Sequence, residues 1–324
     1  MKRVLVTGGA GFIGVGLVAR LLEEGHTVVV LDNLFRGKQD HLEPLVDRGA
    51  VFVEGDVMRS EDLDRCYDAL GGVDLIHHLA AINGTKWFHE AAMKVIDVNI
   101  NGTLCVLNKA KQWDARVVFA SSPEAFGDEV TMPLNEESQA VFPPASHHQR
   151  FSYGASKHLG EIAVQHAVGN GLDVRIVRPF NAYGFQLPGD AYGQVVAMMM
   201  QAVLNNEAIQ VHGDGQQTRC FTHLDDIVSG FYLAGELAEG VDGSSLAGGC
   251  FNVGSEEETT VLELAHAVNE TVGSLAVDIV MGGGYPGDSA RRVPDCRPAK
   301  ERLGWRCTTS LRVGLARMWD RLHP

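Results

Sequence analysis

Short continuous apolar runs alternate along this chain with longer stretches whose apolar residues recur at helical spacing. Val4–Thr7, His26–Leu31, Val51–Glu54, Asp74–His77, Arg116–Ala120 and Asp173–Val177 read as strands, and Phe12–Glu24 as a helix. Further helical stretches lie near 60–70, 90–112 and 153–169. The strand runs are dense in Val, Ile and Leu and lack a polar face, the pattern of strands covered on both sides. Strand–helix alternation of this kind implies a parallel, doubly wound α/β sheet with right-handed crossovers. Beyond about residue 180 the pattern becomes irregular. Gly184–Gly193 is rich in Gly and Pro, and helices are expected at 191–204, 225–239, 260–272 and 309–321. The expected organisation is a domain over 1–180, with a possible return of the chain near 220–255, and a smaller C-terminal α/β lobe over 181–324.

Composition narrows the function classes. The 324 residues carry 27 Lys and Arg against 41 Asp and Glu, a net charge of −14. Such an acidic chain does not suit a general nucleic-acid binder or a partner of anionic membranes. An anionic ligand must then be held by a few placed arginines or by backbone N–H groups. No pair among Cys66, Cys105, Cys220, Cys250, Cys296 and Cys307 has C-x-x-C or zinc spacing, so free thiols in a reducing compartment and no metal are expected. Val4-Leu5-Val6 is too short for a signal-peptide core. No run approaches the roughly 18–20 apolar residues of a membrane span. A cytoplasmic protein is the expectation.

The first chemical signal is Thr7-Gly8-Gly9-Ala10-Gly11-Phe12-Ile13-Gly14, between the first strand and the first helix. Glycines here allow a tight turn, close approach of a pyrophosphate to the backbone and close helix–sheet packing. The helix N-terminus presents free N–H groups to the phosphates. Asp32 follows the second strand, 18 residues after Gly14, and suits a ribose 2′-hydroxyl. Its charge would repel a 2′-phosphate, which favours NAD over NADP, although Arg36 and Lys38 follow closely. The bland alternative is a glycine turn that only packs a helix.

The second signal is Tyr153-Gly154-Ala155-Ser156-Lys157. Tyrosine and lysine four apart share a helix face. A nearby ammonium favours the phenolate, making the tyrosine a usable acid/base near neutral pH. Alone, this spacing is a common accident of a solvated helix face.

Together these residues resemble the extended short-chain dehydrogenase/reductase family, specifically its NAD-dependent nucleotide-sugar epimerases and dehydratases, with a Rossmann-like sheet. Further segments carry the likeness over nearly the whole chain: Gly55-Asp56-Val57, His78-Leu79-Ala80-Ala81, Val98 to Thr103, Arg178 to Gly184, Gly213-Asp214-Gly215 with Arg219 to Asp226, and Arg291 to Asp295. The resemblance implies Ser122, Tyr153, Lys157 and Glu124 as the catalytic set. It implies cofactor contacts from Gly8, Gly11, Phe12, Ile13, Gly14, Asp32, Asn33, Asp56, Val57, Leu79, Ala80, Ala81, Asn99 and Pro179, besides Tyr153 and Lys157. For a nucleotide-diphosphate sugar it implies Thr85, Asn181, Gln210, His212, Arg219 and Arg292, with the two arginines facing the diphosphate. Gln210 and His212 flank Val211 on an expected strand, so alternation places both on one face. A homodimer through the helices near 90–112 and 153–169 is also implied.

One segment departs from the family. Where Ser-Ser-x-x-Val-Tyr-Gly is usual, this chain has Ser121-Ser122-Pro123-Glu124-Ala125-Phe126-Gly127. Glu124 occupies the position of the C5 base of 4,6-dehydratases and is also found in glucuronate decarboxylases. Pro123 replaces an Asp in the former and a Ser in the latter, and proline carries no acid to expel a C6 hydroxyl. Phe126 lacks the usual tyrosine hydroxyl. The expected activity is an NAD-dependent nucleotide-sugar epimerase acting at C4 through a 4-keto sugar. The alternatives are a 4,6-dehydratase using Glu124, a UDP-glucuronate decarboxylase, and a non-catalytic NAD-sensing protein.

Overall fold

The computed structural model of the chain describes residues 1–147, 151–187, 194–283 and 289–323, with the Thr85 side chain excepted. Its centre is a parallel sheet of seven strands. Six are β1 (Arg3–Thr7), β2 (Thr27–Asp32), β3 (Val51–Glu54), β4 (Leu75–His78), β5 (Arg116–Ala120) and β6 (Val174–Pro179). The seventh, Cys250–Val253, joins β6 at the edge, so the order is (250–253)-β6-β5-β4-β1-β2-β3. Strand order reverses between β1 and β4, and in such sheets ligands bind beyond the carboxyl ends of the strands at that reversal.

The apolar runs are buried on both faces because each face has its own helical layer. Val4, Val6, Val28 and Val30 pack toward α1 (Phe12–Glu23) and α8 (Leu224–Glu236). Leu5, Val29, Ile76, Phe119 and Ile176 pack on the other face toward α3 (Ser60–Leu70), α5 (Ala92–Trp113) and α6 (Phe151–Gly169). Between these elements run two short helices, α2 (Gln39–Val46) and α4 (Thr85–Glu90). The chain re-enters the sheet layer through α8 and Cys250–Val253 after it has begun the smaller lobe. That lobe holds α7 (Val195–Leu204), the parallel pair Ile209–His212 and Ile279–Gly282, α9 (Val261–Val272) and α11 (Leu311–Leu322), while α10 (Arg297–Leu303) packs back on α8 and the seventh strand. Met199, Met200, Val211, Phe221, Leu264 and Leu315 form its core.

All six cysteines are unpaired. No helix among the described residues is long and apolar enough to cross a membrane, and no cluster of His, Cys, Asp and Glu gathers there as a metal site.

Candidate active site

A cleft of about 900 Å³ opens over the carboxyl ends of the strands and runs from the glycine turn into the smaller lobe. Gly8, Gly11, Phe12, Ile13, Gly14, Asp32, Asn33, Asp56, Val57, Leu79, Ala80, Ala81 and Pro179 line one half of it. Gly14 leaves no room for a side chain. A Cβ there would stand 2.4 Å from the Gly8 carbonyl and 2.6 Å from the Gly9 Cα, so only glycine lets α1 start this close to β1. Asp32 anchors the turn: its carboxylate accepts from the Ala10 and Leu34 amides at 3.0 and 2.8 Å. Burial raises its pKa, while those amides favour the anion.

The wall after β4 is fixed from behind. His78 Nδ1 lies 2.8 Å from the Thr7 hydroxyl, and its Nε2 lies 3.1 Å from the Thr103 hydroxyl. The Thr103 hydroxyl itself donates to the Asn99 carbonyl at 2.7 Å, which makes His78 Nε2 the donor and Nδ1 the acceptor. Burial holds this ring neutral, with its pKa pushed down to about 3.

The chemical groups converge where β5 meets α6. Ser122 caps the turn Pro123–Phe126 by accepting from the Glu124 amide at 3.2 Å, and its hydroxyl acts on the Tyr153 phenol in the direction that favours the phenolate. Gly154 brings that turn against α6, since a Cβ there would stand 2.3 Å from the Glu124 carbonyl. Tyr153 stacks on Phe88 at 4.9 Å. Lys157 Nζ donates to the Ala120 carbonyl at 2.8 Å and lies 5.8 Å from the centre of the Tyr153 ring. Burial pushes the phenol pKa up, opposed by the neighbouring Ser122 hydroxyl. This reverses the direction expected from the Tyr–Lys spacing, because the phenol is enclosed and burial outweighs the groups that favour its charged form. Burial also lowers the Lys157 ammonium to about 7, against the opposing charge of Glu161.

The far half of the cleft is lined by Asn181, Gln210, His212 and Arg219, together with Gln217 and Phe221. Along Ile209–His212 the first and third residues are buried and Gln210 and His212 are exposed, as alternation requires. Gln217 and Phe221 were not singled out from sequence. They flank Arg219 two residues either side, so the same alternation could have marked them.

Two expected site residues differ, and the side chain of a third lies outside the described residues. The Asn99 side chain is not on the cleft wall. Its Oδ1 accepts from the Ile82 amide at 2.9 Å and its Nδ2 donates to Ser156 Oγ at 3.0 Å, so it ties the wall loop to α6. Arg292 is also turned away from the cleft. Buried, it donates to the carbonyls of Pro123 and Gly127 at 2.5 and 2.9 Å and lies 3.7 Å from the Glu124 carboxylate. Backbone carbonyls at the base of the Glu124 turn therefore claim the guanidinium that was expected on a diphosphate. Thr85 opens α4, and its side chain lies outside the described residues.

The family model described as the NAD dependent epimerase/dehydratase family matches residues 4–254. The chain belongs to this family. Among its relatives, the chain is similar to the UDP-N-acetyl-alpha-D-glucosaminuronate decarboxylase of Bacillus cytotoxicus. They are 32% identical over 319 residues, covering 97% of this chain and 95% of that protein. UDP-glucuronic acid decarboxylase 2 of Arabidopsis thaliana is 35% identical over 318 residues, covering 98% and 67%. Among solved structures, the UDP-glucose 4-epimerase of Thermotoga maritima with UDP-glucose superimposes with a TM-score of 0.89 at 29% identity, covering 99% and 98% of the two chains. The UDP-glucose 4-epimerase of Thermus thermophilus in complex with NAD gives 0.85 at 29% identity, covering 98% of each. The epimerase/dehydratase family is NAD-dependent, and the side-chain-free approach at Gly14 beside the buried Asp32 carboxylate fits that dinucleotide.

Proposed function

We propose that this enzyme inverts C4 of a UDP-linked sugar by oxidising it to a 4-keto sugar and reducing it on the opposite face. The convergence of Ser122, Tyr153 and Lys157 at one point of the cleft, with Pro123 where an acid would have to stand, carries this reading. Gly8, Gly11, Gly14, Asp32, Asn33, Asp56, Val57, Leu79, Ala80, Ala81 and Pro179 hold NAD, which supplies the hydride acceptor. Ser122 donates a hydrogen bond to the C4 oxygen. Tyr153 takes the hydroxyl proton as the C4–H bond breaks and returns it when the ketone is reduced. Lys157, held by the Ala120 carbonyl one helical turn from Tyr153, counters part of the burial that disfavours the phenolate whenever it carries its proton. Asn181, Gln210, His212 and Arg219 hold the nucleotide diphosphate in the smaller lobe. The chain acts as a homodimer: α5 and α6 leave Leu104, Leu159 and Ile162 exposed along one face, a surface suited to the same face of a second copy.

The second reading, decarboxylation of a UDP-uronate, is favoured by the names of the curated relatives. Incubation with UDP-glucose and, separately, with UDP-glucuronate, followed by product NMR, tests the choice. Inversion at C4 of UDP-glucose with unchanged mass is expected. Release of carbon dioxide from UDP-glucuronate without that inversion would replace the first reading by the second.

A further inference from the structure

Three residues four apart on α6 meet three consecutive residues at the end of β5. Tyr153 faces Ser122 in the cleft, Lys157 donates to the Ala120 carbonyl, and Glu161 accepts from Ser121 Oγ at 2.5 Å. The first two contacts belong to the chemistry proposed above. Glu161 does not line the cleft. It is buried and doubly bonded by Arg178 of β6, whose Nε and Nη2 each donate to a different carboxylate oxygen at 2.7 Å. The Arg178 guanidinium also lies over the Phe126 ring, 4.4 Å from its centre. Phe126 ends the turn that bears Glu124, so the ring without the usual hydroxyl is here a surface for a buried cation.

Burying two charges costs desolvation that their attraction only roughly offsets, so such a pair is weak evidence for stability. Its placement is more informative, because it touches every segment that carries a catalytic group. We propose that Glu161 and Arg178 are a positioning pair for the catalytic set: Glu161 fixes the end of β5 through Ser121, Arg178 fixes the Glu124 turn through Phe126, and the Glu161 carboxylate serves as counter-charge to Lys157 one helical turn away. The inference rests on the reading above for the roles of Ser122, Tyr153 and Lys157.

The groups around Lys157 allow the electrostatic part to be isolated. Tyr153 and Glu161 face it from its own helix, neutral His78 from β4, and the Phe119 ring from β5 at 5.0 Å. Glu136 and Cys250 act on Arg178 from the far side of the pair. Of these, Glu161 opposes the downward effect of burial on the ammonium.

The test is the titration of Lys157 in NAD-saturated protein labelled with [13Cε]lysine, followed by NMR, with the resonance assigned by its absence in Lys157→Met. Glu161→Gln is expected to lower the midpoint by about one pH unit, a tenfold loss of proton affinity. Glu161→Asp keeps the charge and is expected to lower it less than half as much. Ser121→Ala removes the hydroxyl alone. It is expected to leave the midpoint in place and to lower kcat for UDP-glucose about tenfold at unchanged KM, the scale of a displaced catalytic group. A Glu161→Gln midpoint equal to wild type in natively folded protein overturns the proposal, as does normal kcat in Ser121→Ala. If the Gln variant does not fold, Ser121→Ala carries the test, and a wild-type kcat in that variant overturns the proposal equally. The titration needs no sugar. A shifted midpoint in a protein that turns over no UDP-sugar removes the proposed reaction and keeps the counter-charge, whereas epimerisation without a shift does the reverse.

Discussion

Arg292 lies 3.7 Å from the Glu124 carboxylate, and its guanidinium is bonded to the carbonyls of Pro123 and Gly127 on either side of that residue. The relationship makes Arg292 a brace for the Glu124 turn, and it leaves Arg219 on the far wall of the cleft as the arginine we propose for a diphosphate.

These two arginines should therefore separate in binding and turnover. Arg219→Ala is expected to raise the Kd for UDP about tenfold or more, the scale of one lost charged hydrogen bond of roughly 1.5–3 kcal/mol. Arg292→Met should leave UDP binding within about twofold and lower kcat about tenfold, as for a displaced catalytic turn. Calorimetric titration with UDP beside steady-state kinetics checks both. Equal weakening of UDP binding in the two variants would return Arg292 to the diphosphate.

Glu124→Gln keeps size and hydrogen bonding and removes the base. In a C4 epimerase no C5 proton moves, so the loss should be about tenfold in rate, or roughly 1–2 kcal/mol. A dehydratase would instead stop at the 4-keto species with NAD reduced. Stopped-flow absorbance of NADH during one turnover distinguishes the two.

Tyr153→Phe should leave the ring stacked on Phe88 while deleting the proton acceptor. A loss of at least a hundredfold in turnover is expected, since positioned acid–base groups contribute about 10²–10⁴. NAD should still co-purify. Near-normal turnover would remove Tyr153 from the mechanism.

A pH effect on stability follows from the two histidines ending β4. Burial lowers both to about 3 from an ordinary value of 6.5. Between those values the unfolded chain binds more protons than the folded one, so stability is full above 6.5 and falls as the pH drops toward 3. His77 adds a second cost, because neither ring nitrogen finds a hydrogen-bond partner among the described residues. His77→Leu should therefore be at least as stable as wild type at pH 7.5 and gain up to about 2 kcal/mol more at pH 5. Urea unfolding at both pH values measures this. An advantage that does not grow at pH 5 would contradict it.

Contiguous signals were the legible ones. The glycine turn, Asp32, the Tyr153–Lys157 spacing and the alternation of Gln210 and His212 are set by a few neighbouring residues, and each points where spacing predicts. Side-chain direction across the fold was not legible. Asn99 and Arg292 belong to recognisable segments, yet their partners Ile82, Ser156, Pro123 and Gly127 are brought up only by tertiary packing. The seventh strand was also missed. Cys250–Val253 is four residues long and contains Asn252, which is buried because it donates to the Leu134 and Asp295 carbonyls. Gln39–Val46 holds Pro44 within its helix, where proline argues against one. The Glu161–Arg178 pair joins α6 to β6 with no spacing rule to reveal it.

The central claim is most directly tested by one experiment: UDP-[4-²H]glucose incubated with the purified protein, without added cofactor, and the product examined by NMR. The account predicts inversion at C4 with the deuterium retained there, because the same hydride leaves and returns, and no loss of water or carbon dioxide. A product that has lost the C4 deuterium, a dehydrated 4-keto sugar, or no reaction with UDP-glucose at all would contradict it.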